Sequence, residues 1–94
     1  MTEKFTKWDA AEHLHTLEDA RLYVQACADE DPGDGSLIRA ALNDVARAQN
    51  MAALAREAGM SREGLYKALA ADGNPTFATV MRITRAMGLQ LRVS

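Results

Sequence analysis

The sequence predicts an all-α domain of five short helices, the third and fourth joined by a tight bend, with one short β-strand at the C-terminus. Three observations carry that prediction. Apolar residues recur at three- and four-residue steps in successive stretches separated by glycine, proline and capping residues. Alanine is frequent and only five of the 94 residues are aromatic, which suits short helices packed closely. A period-two alternation then appears at Leu89, Leu91 and Val93. Ninety-four residues make a single domain, 1–94, and a chain this short buries a modest core and often gains stability by dimerising.

Residues 1–15 are polar and weakly patterned, and read as an N-terminal arm anchored by Phe5 and Trp8. Thr16 is placed to cap the first helix, with Asp19 in its first turn. Leu17, Ala20, Val24 and Cys27 then form one helical face, and the helix should end near residues 28–30. Asp31 to Gly35 (DPGDG) is a loop. Asp34 or Ser36 can cap the second helix, whose broad apolar stripe (Leu37, Ile38, Ala41, Leu42, Val45, Ala46) runs to about Gln49. The third helix is read over 52–58 and the fourth from Ser61 to about residue 70. A second loop, 72–75 (DGNP), follows. Thr76 caps a fifth helix bearing Phe77, Val80, Ile83 and Met87, which Gly88 ends. A strand over 89–94 cannot satisfy its own backbone, so it must pair with the arm, with its copy in a dimer, or with another protein.

Residues 51–69 are the most informative. Leu54 and Ala55 lie on the inner face of the third helix, Gly59 takes the corner, Met60 plugs the gap behind it, Ser61 opens the fourth helix, and Leu65 and Leu69 anchor that helix. This is the helix-turn-helix plan, whose second helix lies in the DNA major groove. Its other face presents Arg62, Glu63, Tyr66 and Lys67. Arginine can pair bidentately with a guanine edge, glutamate can accept from cytosine N4, and tyrosine and lysine can reach phosphates or bases. Gly64 permits a close approach. In the following loop Asn74 and Thr76 are candidate DNA contacts, Thr76 through the N–H groups of a helix N-terminus. The blander reading is a helical hairpin with a solvated polar face.

The net charge of −2 conceals an asymmetry. Residues 1–50 hold five cations and ten acids, a balance of −5, whereas residues 51–94 hold six and three, a balance of +3. A basic half suits phosphate and an acidic half suits a basic protein, although ordinary solubility would also account for both. One cysteine, Cys27, excludes an internal disulfide and reads as a small core residue in a reducing compartment. The first residues lack an apolar signal-peptide core and no run approaches a membrane span, so the expected location is the cytoplasm. Enzyme chemistry is not in view. His13 and His15 are two apart and diverge on a helix, so they cannot share a metal. No glycine-rich phosphate loop follows a strand, the five methionines suit core filling, and no cofactor is expected.

The stretches LAREAGM (54–60), SREGLYKAL (61–69) and GNPTF (73–77), with the acidic N-terminal WDAAEHLHTLEDARLYVQACADEDPGD (8–34), resemble the HigA-like addiction-module antidote proteins. The resemblance covers nearly the whole chain. It implies a lambda-repressor-like five-helix fold, a homodimer, and binding to double-stranded operator DNA. It also implies an antitoxin that neutralises a small basic RelE/ParE-like (HigB-like) toxin and represses its own operon. The recognition helix would be Ser61 to Leu69. Phage-repressor-type domains often carry a phosphate-contacting glutamine early in the first helix of the motif. Alanine stands there here, at 52 or 53, so Gln49 or Asn50 would have to substitute. For the toxin, the acidic first helix and its loop (Glu18, Asp19, Asp29, Glu30, Asp31) and the C-terminal strand are both candidate surfaces. A stand-alone phage-type repressor without a toxin partner is the alternative, and a protein-interaction module that no longer reads DNA is a third.

Overall fold

A computed structural model of the chain describes residues 14 and 16–90. Five helices occur among them: α1 (Leu17–Glu30), α2 (Ser36–Ala48), α3 (Met51–Glu57), α4 (Arg62–Leu69) and α5 (Phe77–Met87). Helix α2 is the hub. Helices α1, α3, α4 and α5 all pack on it, while α3 also packs on α4 and on α5. The hub role follows from its stripe, since Ala41, Leu42, Val45 and Ala46 are all buried. Leu54 and Ala55 of α3, Leu65 and Leu69 of α4, and Ile83 and Met87 of α5 complete one core. Helices of seven and eight residues, such as α3 and α4, are too short to persist alone. Burial of such leucines, worth roughly 1.5–3 kcal/mol each, is what holds them.

Side chains cap four helix starts, three of them (Thr16, Ser61 and Thr76) as the sequence predicts and the fourth, Asn50, not foreseen as a cap. Thr16, Asn50, Ser61 and Thr76 each accept a backbone N–H of the helix they open. The fifth differs. Neither Asp34 nor Ser36 caps α2; the N-cap is Gly35, which has no side chain to do it. Asp31 does the work from four residues back. Its Oδ1 accepts from the N–H of Leu37 at 2.8 Å and of Ile38 at 3.4 Å, and its Oδ2 from Gly33 and Gly35 at 2.8 and 2.9 Å. Desolvation acts to raise the Asp31 carboxyl, but the four N–H groups together outweigh it and hold it below the usual aspartate range. Asp34 instead accepts from the Ser36 N–H at 3.0 Å. Helix α3 starts at Met51, one residue before the expected start, because Asn50 is its cap.

Other expectations need correction. Phe77 does not join the buried stripe of α5; it is 71% exposed, because it stands at the first turn, beyond the layer that Val80, Ile83 and Met87 pack into. Leu17, at the start of α1, is likewise exposed. Cys27 is a half-buried free thiol rather than a core residue, and burial pushes its pKa up. No strand occurs among the described residues. Leu89 is buried against the core and Gln90 is exposed, and the rest of the expected strand, 91–94, lies outside the described residues. Leu89 closes the end of α5 instead. Its N–H bonds the Thr84 carbonyl and the Gly88 N–H bonds that of Arg85, which directs the chain back over the core. Phe5, Trp8, His13 and His15 also lie outside the described residues. No described helix is long and apolar enough to cross a membrane.

Candidate nucleic-acid interface

The bend between α3 and α4 is built by its backbone. The Gly59 N–H bonds the Arg56 carbonyl at 3.1 Å and the Met60 N–H bonds the Ala55 carbonyl at 2.8 Å. That pair of bonds closes a helix end and demands a left-handed residue between them. Gly59 supplies it at φ 72°, where a side chain would be strained. Met60 then packs against the core, as the sequence suggested. Ser61 Oγ accepts the Gly64 N–H at 2.9 Å and starts α4. A Cβ on Gly64 would sit 3.1 Å from that oxygen, so the close approach expected there is the approach of the cap itself.

Helix α4 is then pinned in roll. Leu65 is 0% exposed and Leu69 1%. A helix whose i and i+4 residues are buried must turn the opposite residues outward. Arg62, Glu63, Tyr66 and Lys67 are accordingly all exposed, Tyr66 at 43%. The far end of α4 is held by a residue that the sequence reading did not single out. Arg39 of α2 donates from Nη1 to the Leu69 carbonyl at 3.3 Å, placing a cation on a helix C-terminus. Behind that end runs Gly73. A Cβ there would lie 2.5 Å from the Lys67 carbonyl oxygen and 2.6 Å from that of Ala68. Only glycine fits this crossing. The DG dipeptide signalled a loop, but nothing in its spacing signalled the crossing.

On the exposed face the polar groups are sparsely engaged. Arg62 donates from Nη2 to the Tyr66 hydroxyl at 3.3 Å, and its guanidinium carbon stands 5.3 Å from the centre of the Tyr66 ring. The ion pairs among the described residues, Arg21 with Glu18 and Arg47 with Asp44, lie elsewhere, in α1 and α2. Ser61 spends its hydroxyl as a cap. Thr76 is exposed and does the same for α5, accepting the Thr79 N–H at 3.1 Å while donating to the Thr79 hydroxyl at 3.0 Å. Asn74 is exposed and lines a cleft of about 410 Å³ at the start of α2, whose lining also includes Asp34 and Arg39.

The two residues expected to replace a phosphate-contacting glutamine both hold helix ends. Asn50 Oδ1 accepts the Ala53 N–H at 2.9 Å, and Gln49 Nε2 donates to the Met87 carbonyl at 3.4 Å. The Asn50 amide NH2 and the second N–H of Gln49 Nε2 are left to donate outward. No group of residues among those described could hold a metal ion.

Residues 4–94 match a family model described as "Probable addiction module antidote protein". A relative from Haemophilus influenzae strain Rd, carrying the name "Uncharacterized protein", is 53% identical over 93 residues, a match spanning 99% of this chain and 94% of the relative. No solved structure matches the chain. On a match that runs from the fourth residue to the last, the chain belongs to the family of probable addiction module antidote proteins.

Proposed function

We propose that this protein is a DNA-binding antitoxin of the type II class. In this reading it neutralises a small basic RelE/ParE-like (HigB-like) toxin in the cytoplasm and, as a homodimer, represses its own operon. The observation that carries the DNA half is the roll of α4. Two fully buried leucines leave Arg62, Glu63, Tyr66 and Lys67 facing outward from a glycine-cornered helical pair. In a helix-turn-helix that face meets base edges and phosphates in the major groove. Family membership supports the antitoxin half, and the acidic face of α1, with Glu18, Asp29 and Glu30 exposed, suits a basic partner.

Replacing Arg62 and Lys67 by alanine tests the first half. Affinity for a duplex from the region upstream of the protein's own gene, measured at one salt concentration, should fall. Loss of a bidentate arginine alone costs roughly 1–3 kcal/mol, and loss of a phosphate contact should lower the slope of log affinity against log salt by about one. Unchanged affinity would remove α4 as the reader. Co-expression with the adjacent reading frame, followed by size-exclusion chromatography, tests the second half. A stable complex with a small basic protein is expected, and its absence would leave a repressor acting alone.

A further inference from the structure

On α4 one contact joins two of the outward side chains, and it divides their roles. Arg62 is the first residue of the helix and Tyr66 stands one turn later. The Tyr66 hydroxyl receives the Arg62 Nη2 hydrogen at 3.3 Å, and the Tyr66 ring lies under the guanidinium at 5.3 Å. An exposed arginine ordinarily samples many rotamers, and ordering it on binding opposes association. Arg62 forms no ion pair with a described residue, not even with adjacent Glu63, so its donors other than the one shared with tyrosine remain free to pair with a ligand. The N-terminal residues of a recognition helix are the ones that meet base edges. A guanidinium held over a ring and bonded to its hydroxyl through one Nη2 hydrogen keeps its other donors available for the two acceptors of guanine, O6 and N7.

We infer that Tyr66 is a positioning residue for Arg62: its ring and hydroxyl together hold the guanidinium in one orientation, and thereby set specificity for a guanine at one position of each half-site. This rests on the reading of α4 as the DNA-contacting helix. Tyr66 then governs selectivity at a base pair through the arginine. It contributes little to sequence-independent affinity.

The experiment is a binding series at fixed salt. The full-length protein is set against a duplex from upstream of its own gene and against every single base-pair substitution of that duplex. Arg62→Ala identifies its base pair as the position where discrimination collapses, by roughly 5- to 150-fold. Tyr66→Ala should lose several-fold of the discrimination at that same position and little at others. Tyr66→Phe, which keeps the ring and drops the hydroxyl, should recover part of it. In the Arg62→Ala background, Tyr66→Ala should have no further effect there, as coupled residues require. Equal weakening of all duplexes by Tyr66→Ala, or effects that simply add, would overturn the positioning role while leaving DNA reading intact. Failure of Arg62→Ala to alter any position would also overturn the positioning role, and unchanged affinity of the Arg62→Ala, Lys67→Ala double variant would overturn the reading of α4 beneath it. Tyr66 is exposed, so the variants should keep the wild-type melting temperature, which circular dichroism checks.

Discussion

The acidic half and the basic half of this molecule use their charged side chains in opposite ways. In residues 17–50 several polar groups bond the protein's own backbone or one another, although Glu18, Asp29 and Glu30 stay exposed. Asp31 collects four N–H groups. Tyr23 donates to Asp44 Oδ2 at 2.6 Å, tying α1 to α2, while Arg47 donates to the other oxygen of Asp44, also at 2.6 Å. Desolvation, and then donation to Asp44, push the Tyr23 phenol well above its ordinary range. In residues 51–90 the polar bonds that build the fold come from backbone, from small caps and from two side chains reaching over from the other half, Arg39 and Gln49, while the long charged chains of α4 stay on the surface. The lesson is that formal charge says little until its partners are known. A carboxylate satisfied by backbone N–H groups stabilises a loop, whereas an arginine resting on a ring remains available to a ligand.

Four substitutions would break or sharpen that contrast. The largest effect should come from Leu65→Ala, which removes the buried anchor of α4 and should cost about 2–5 kcal/mol. In a domain of this size each kilocalorie lowers the melting temperature by roughly 4–8 °C. A smaller loss would mean that α4 is held mainly by Arg39 and the caps. Next is Gly73→Ala, which drives a methyl group into two backbone carbonyls. Overpacking of this kind typically costs about 1–3 kcal/mol, and urea unfolding measures it.

Asp31→Asn tests the acidic half. The folded-state carboxyl titrates below its unfolded value. The stability it adds is therefore present above the ordinary aspartate range and is lost as pH falls through the depressed folded-state value. The variant should be less stable than wild type at neutral pH, and the gap should close in acid. A gap independent of pH would show that the ionised form is not what the loop selects. The smallest effect belongs to Tyr23→Phe, which leaves Arg47 on Asp44 and should cost about 0.5–1.5 kcal/mol. Neither Asp31→Asn nor Tyr23→Phe should alter DNA affinity at temperatures where the protein is folded. If either does, the two halves are coupled rather than divided.

Most of the helical plan was legible along the chain because its signals are local. A hydroxyl three residues before an N–H, a glycine at a corner and leucines four apart declare themselves without the rest of the molecule, and Thr16, Ser61, Thr76, Gly59, Leu65 and Leu69 all stand where they were expected. The four α4 candidates were legible for the same reason, since burying Leu65 and Leu69 fixes which residues face outward.

What the sequence by itself determined is therefore periodic and short in range: where helices start and stop, and which face of each is apolar. Tertiary structure decided the rest. Which carboxylate caps α2, why Phe77 stays in water, why Gly73 admits no side chain, and which helix end Arg39 holds all depend on what lies across from a residue. A helical stripe shows which direction is apolar, but the end of a helix can project past its neighbours, and only the packed partners reveal where the core stops.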